Sequence, residues 1–518
     1  MKTIAELSPK LTAIDFDPFA GGELFACVPP TEAQKEIWIA VQMGNEANCA
    51  YNESMCLRLQ GSLDLESLRF SIQELVQRHD ALRATFSPDG STLCVAAWIA
   101  LDIPTIDLSI LDDRDRESKL AYLRRQEVDR PFNLVSGPLF RSQIIKLQEQ
   151  EHLVIMTGHH IICDGWSWGI LLPDLGKIYS AKKQGLAANI PQPESFTEYA
   201  ILQEAQSTST EVIDAEDYWL KLFSDTSPVV DLPTDRPRPA LRTYNGSRED
   251  WELNPDLVAN LKRLGKKAGC SFFTTLFAGF EAFMYRLCGQ EDLIVGMPSA
   301  GQLFGGQEKL AGHCVSLLPI RSQINGEQSF IDYLRSRRKA ILDACDRQQI
   351  TFGTLVKKLA LARDFSRIPL VPVTFNLDVQ LAESQLNFPD FKAEAFSNPR
   401  TCENFEWAVN ASETKQKLVL ECQYNTNLFD AATIQSRMAE FEELLKAVVA
   451  NPECPLQNLL ILTATERQKI LVDWNNTQTN YPKDACIHEL FEVQAEQTPD
   501  AVALVFGEQQ LTYQQLNC

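Results

Sequence analysis

No run of this chain is long and apolar enough to cross a bilayer. A membrane helix needs ~20 consecutive apolar residues, and no stretch approaches that. Met1 to Lys10 has none of the apolar core of a signal peptide. Positive charge is in deficit, with a net charge of −21. Nucleic acid and anionic membrane surfaces are polyanions and are excluded as the main partner; a local basic patch of Arg236, Arg238 and Arg242 stays open. The 14 cysteines include no CxxC pair and stand singly. An acidic chain of this kind reads as a reduced, cytoplasmic protein rather than a disulfide-framed one. Short-period repeats and low-complexity segments are also missing.

Of what is present, 45% is hydrophobic and 23% charged, a globular balance. At ~150 residues per unit, 518 residues suit about two to four units. Residues 1–25 read as a linker, broken by Pro18, Gly21 and Gly22. Residues 53–60 alternate as a strand, and Asp64 caps a helix whose apolar face is Leu65, Leu68, Ile72, Leu75 and Val76. Asp89-Gly90 marks a hairpin between 84–86 and 93–97. A second hairpin turns at Gln148–Glu151, and a helix follows from Leu171 to Tyr179. Four prolines within 228–246 mark a crossing between halves. Helices are predicted over 255–269, 271–287, 328–346 and 431–450, and strands over 292–297, 371–378 and 416–424.

These patterns give an α+β chain with lobes over 26–190 and 191–450, then a linker over 451–483. Residues 484–518 start a unit too short to bury a core alone, so the chain reads as cut inside a following domain.

Only six histidines occur, and two of them, His159 and His160, are adjacent at the end of a predicted strand. Neighbouring strand residues point opposite ways, so one enters the structure and the other faces a cavity. Asp164-Gly165 supplies a tight turn, which Asp164 organises through backbone amides or a buried cation. Neutral imidazole can take a proton from an attacking amine near neutral pH. For a bare His-His pair the bland reading is two histidines satisfied in a loop. A metal site is disfavoured, because adjacent histidines diverge and no third ligand has helical spacing.

The full string His-His-x-x-x-Asp-Gly-x-Ser over 159–167 resembles the signature of condensation domains of nonribosomal peptide synthetases, within the chloramphenicol-acetyltransferase-like acyltransferases. Further strings occur in the family's order. Thr31 to Trp38 resembles the first motif, Arg78 to Phe86 the second and Phe196 to Ala200 the fourth. Leu232 to Pro237 is similar to the family's crossing segment, Gly312 to Pro319 to the fifth motif and Arg363 to Leu370 to the seventh. Together they cover about residues 26–450, far more than a lone motif. Leu511 to Leu516 resembles the first short motif of an adenylation domain, whose nucleotide-binding motifs are not in this sequence.

The resemblance implies two acetyltransferase-like lobes in a V, with the active site in the tunnel between them. His160 takes the place of the histidine that positions or deprotonates the acceptor amine. His159 and Asp164 hold the loop, and Gly165 leaves room for the thioester. Trp166, Ser167, His313, Ser316 and Gln302 are the tunnel candidates, His313 as a wall of the cleft. Cys163 and Cys314 read as packing residues, not nucleophiles. No cofactor or metal is implied for the domain itself; substrates arrive on phosphopantetheine arms. The implied partners are an upstream acyl or peptidyl carrier protein, a downstream peptidyl carrier protein and an adjoining adenylation domain, with no nucleic acid or membrane. Ala50-Tyr51-Asn52-Glu53-Ser54 resembles condensation domains that follow polyketide modules in hybrid synthetases, which implies a polyketide-type donor.

Two positions depart from the family. Gln302 follows Pro298-Ser299-Ala300-Gly301 where Arg is frequent, so a buried Asp164 needs another cation, for which Arg83 is the candidate. Ser316 stands where Asn is usual. The rival readings are a silent scaffold that recruits or gates carriers, an epimerase and a cyclising relative. The intact His-His-x-x-x-Asp-Gly favours amide formation over the scaffold. A cyclising domain is expected to have Asp where this chain has His159, and an epimerase would not normally precede an adenylation domain.

Overall fold

The computed structural model describes residues 22–518, apart from 226–227, 303–305, 362–363, 380, 382 and 415–416. Most of the linker expected over 1–25 and Arg363 of the seventh string lie outside the described residues.

The first lobe is built on a five-stranded sheet, in the order β12 (Lys392–Ser397), β2 (Asn52–Gln60), β7 (Glu151–His159), β6 (Phe140–Gln148) and β5 (Thr105–Asp107). Side chains alternate between its two faces, as strand geometry requires. Leu57, Leu59, Ile144, Val154 and Met156 pack with the helices Leu65–Arg78 and Gly165–Lys183. Cys56, Ile145, Leu147, Leu153 and Ile155 form a second core with Leu123 of the helix Asp113–Asp129. No periodicity announces that helix. Only Leu123 and Val128 of it are buried, so its charged sequence carries too few apolar positions to show a period. The Asp89-Gly90 hairpin pairs β3 (Ala84–Phe86) with β4 (Leu93–Ala96), and β1 (Leu24–Val28) adds to its other side.

The second lobe is a six-stranded sheet. Its order is β10 (Val315–Gln323), β9 (Asp292–Ala300), β11 (Val373–Val379), β13 (Trp407–Glu413), β14 (Leu418–Asn425) and β8 (Gly246–Leu253). Helices Pro255–Ala268, Phe272–Cys288, Phe330–Cys345 and Ala431–Ala450 cover one face with Leu261, Phe280, Leu334 and Phe441. This is the α+β, two-lobed architecture expected.

The lobe boundaries are less simple than 190/191 and 450. Phe196 and Ala200 pack into the first lobe's core. So do Leu310, Ala311, Leu386, Phe388 and Ala393, and β12 pairs antiparallel with β2. The chain thus returns twice from the second lobe to the first. At the far end, Leu456 and Leu459 are buried in the second lobe, and Pro452 and Cys454 carbonyls accept from Ile331 and Phe330 amides. Residues 451–461 are therefore lobe, not linker.

Of the three arginines that could form a basic patch, two are paired with carboxylates. Arg236 pairs with Asp430, Arg238 with Asp231 and Glu406, and Arg242 donates to the Tyr244 hydroxyl. All cysteines are free thiols. No described helix is long and apolar enough to cross a membrane. A separate unit, Leu462–Cys518, contains the helix Ile487–Gln497 and a hairpin of Val502–Phe506 with Gln509–Thr512. Ile487 is 87% and Phe506 80% exposed, the condition of a segment without a core of its own.

Candidate active site

Strand β7 delivers the histidines. His159 pairs with Asn52 across the sheet, its amide donates to Leu139 O, and the ring is fully buried beside Tyr51 and Phe132. Ile161 N donates to His159 Nδ1 at 3.2 Å. Burial foremost, then His160 and Arg141, drives this imidazole down to about 3, so it stays neutral. One residue on, His160 turns the other way, and its amide is fixed by Tyr51 O at 2.7 Å. Gly158 makes this approach possible: a Cβ there would lie 2.4 Å from Cys163 Sγ. Gln34 of the first motif supports the turn, donating from Nε2 to Ile161 O at 2.9 Å.

His160 Nδ1 faces His313 Nδ1 at 3.0 Å, across the lobe junction. One nitrogen of that pair donates and the other accepts. Burial, aided by His160 and His159, holds His313 well below the usual imidazole range, so it remains neutral. On its other edge His160 Nε2 stands 3.6 Å from Glu53 Oε1, which Arg400 binds at 2.8 Å.

Asp164 caps the helix Gly165–Lys183. Its side chain is completely buried and accepts four hydrogen bonds. Ser167 N (2.9 Å) and Oγ (2.8 Å) serve Oδ1, and Gln302 Nε2 and Cys314 N (both 3.0 Å) serve Oδ2. The charge is thus held by neutral donors, not by a cation. Arg83 is not the partner. It donates to Ala96 and Ala97 carbonyls and lies over the Phe25 ring. Ser167 and Gln302, expected in the tunnel, are instead fully buried against the carboxylate. Trp166 is half-buried and ties the helix to Glu308 O through its indole N–H at 3.0 Å. Ser316 reaches only Gln348 O, at 3.4 Å. Gly165 is exposed, and a Cβ there would meet nothing within 4 Å, so the space beside it is open. Burial pushes the thiols of Cys163 and Cys314 well up, the state of packing residues, not of nucleophiles.

The second and fourth motifs are one unit: Asp80 accepts from Phe196 N, Thr197 N, Ser195 Oγ and Thr197 Oγ1. Sequence reasoning missed Glu53 and Arg400 as neighbours of His160. Glu53 was visible in the 50–54 string, but nothing in the sequence brings Arg400 to it.

Residues 26–471 match the Condensation domain family. The chain is 32% identical over 529 residues to tyrocidine synthase 3 of Brevibacillus parabrevis, covering 99% of this chain and 8% of that protein. It therefore spans a small part of such relatives. A four-domain nonribosomal peptide synthetase bound to AMP and glycine superposes with a TM-score of 0.82 at 20% identity, over 98% of this chain and 38% of that one. The first condensation domain of the calcium-dependent antibiotic synthetase, in complex with a substrate analogue, superposes with a TM-score of 0.73 at 19% identity, over 85% of this chain and all of that one. With its core strands, paired lobes and His159–Gly165 turn in place, the chain belongs to the condensation domain family of nonribosomal peptide synthetases.

Proposed function

We propose that the domain forms an amide bond between an acyl thioester on an upstream carrier and an aminoacyl thioester on a downstream peptidyl carrier. The observation that carries this reading is the setting of His160. Its ring stands at the lobe junction with Nδ1 occupied by His313 and Nε2 facing Glu53 Oε1 at 3.6 Å, beyond hydrogen-bond reach. With Nδ1–H donated to a neutral His313, Nε2 has a lone pair for the acceptor amine. The amine nitrogen attacks the donor carbonyl and its proton passes to Nε2. The C–S bond breaks as the tetrahedral intermediate collapses, and the proton leaves with the thiolate. The open space at Gly165 suits the thioester, and with Ser167 N held by Asp164 the Gly165 and Trp166 N–H groups are the first-turn donors that can face the developing oxyanion. Holding both arms together supplies a proximity effect independent of His160.

The donor in this reading is polyketide-type, on an acyl carrier protein, supported by the Ala50–Ser54 string. The adjoining partner is an adenylation domain, supported by the Leu511–Leu516 string and the exposed apolar side chains of 484–518. A single-turnover assay with donor and acceptor preloaded on carriers tests the proposal. Amide from the unaltered protein and a markedly slower reaction in His160→Ala are expected; full activity in His160→Ala would leave only a scaffold that brings thioesters together.

A further inference from the structure

His160 has one nitrogen to spare. Nδ1 is engaged with His313 at 3.0 Å, so whatever reacts at this residue meets Nε2. Facing Nε2 is Glu53 Oε1, at 3.6 Å, too far for a direct hydrogen bond. The carboxylate is not free to swing toward the ring. Its backbone is fixed in β2, opposite Gly158 of β7, and Arg400 Nη1 holds the same oxygen at 2.8 Å.

Negative charge around this gap is shared among cations, not paired one to one. Arg400 serves two carboxylates, Glu53 and, at 3.3 Å, Glu403, which is buried. His159 and His313 are neutral, and Arg141 is committed to Glu127 at 2.8 Å. Behind Glu53, Arg248 is shared by Asp250 and Glu421. A group able to serve both Oε1 and Nε2 must donate to each, and a positive charge suits a carboxylate that Arg400 shares with Glu403. A primary ammonium supplies both.

We propose that Glu53 and His160 Nε2 together recognise the α-ammonium of the acceptor, so that Glu53 makes the domain select an amine over a hydroxyl nucleophile. The assignment rests on the amide-forming reading and names the group it recognises. A hydroxyl brings no charge to offset Glu53 and has one hydrogen to offer two acceptors. The ammonium offers several; it sheds one proton to solvent before attack, and the next proton of the neutral amine passes to Nε2 as in the reaction above.

Binding to the full chain tests this without turnover. The probes are alanyl- and lactyl-pantetheine analogues with an amide in place of the thioester, titrated calorimetrically near pH 7. The unaltered protein is expected to bind the alanyl probe about tenfold more tightly, the scale of one partly screened charge pair. Glu53→Gln should bring that ratio close to one, chiefly through weaker alanyl binding, and Glu53→Asp should keep part of it. Added salt should weaken alanyl but not lactyl binding to the unaltered protein, a measurement that needs no variant. An unchanged ratio in Glu53→Gln, equal loss of both probes, or salt-insensitive preference would overturn the assignment. Alanyl preference without amide formation from loaded carriers would overturn the proposed reaction and leave the recognition standing. Amide formation without the preference would do the reverse.

Discussion

Gln302 Nε2 donates a 3.0 Å hydrogen bond to Asp164 Oδ2, joining a side chain just past β9 to the cap of the active-site helix. In Asp164→Asn the amide group would confront the donors of Gln302 and Cys314, leaving buried polar groups unpaired. Such a loss costs about 1–3 kcal/mol. Asp164→Asn should therefore lower the melting temperature and the condensation rate together, and Gln302→Ala should do so more weakly. Arg83→Ala should not reproduce the Asp164 defect in rate, because its partners are the Ala96 and Ala97 carbonyls. A matching rate loss in Arg83→Ala would refute the neutral-donor account.

His160→Ala should lower the single-turnover rate by ~10- to 10⁴-fold, the span of general-base help, while proximity survives. The side chain is 20% exposed and not in a core cluster, so thermal melting should barely change. Rate and melting point are to be compared on one preparation.

Stability should fall on mild acidification. In the unfolded chain a histidine binds its proton near pH 6.5, whereas His159 in the folded lobe does so only at about 3. Between those values the unfolded state holds more protons, so stability present above pH 6.5 is lost as pH falls toward 3. The slope is at most ~1.4 kcal/mol per pH unit for one such group. His313, held low by burial, adds in the same direction. Urea unfolding at pH 7.5, 6 and 5 should show the decline, and His313→Gln should flatten it.

Gly176 lets the returning chain seat on the helix Gly165–Lys183. A Cβ there would lie 1.9 Å from Leu386 O and 2.9 Å from Asn387 O, both backbone atoms. Gly176→Ala should cost about 1–3 kcal/mol by overpacking, seen as a lowered melting temperature. It should also impair activity, since this segment leads into β12 at the edge of the histidine-bearing sheet.

Removing 484–518 should leave the melting temperature of the two lobes nearly unchanged. The lobes close within Met1–Ile461, and the removed residues expose Ile487 and Phe506. Calorimetry of the shortened chain that showed a loss above roughly 2 kcal/mol would contradict this.

Local chemistry explains what was legible. Asp64 as a cap, the Asp89-Gly90 turn and the divergence of His159 from His160 each follow from a few neighbouring residues, and the structure has all three. The helix Asp113–Asp129 was not legible, because burial of only two apolar side chains leaves no period to read.

By itself the sequence determined the two-lobed α+β class, the strand–turn–helix that presents His160, and the placement of Asp164 at a tight turn. Tertiary structure alone decided the company these residues keep. His313 lies 153 positions from His160, and Gln302 lies 138 from Asp164. Arg400 meets Glu53 from 347 positions away. Periodicity and capping act over a few residues, whereas such pairs form only when both lobes close and each buried polar group takes whatever donor the packing brings within reach.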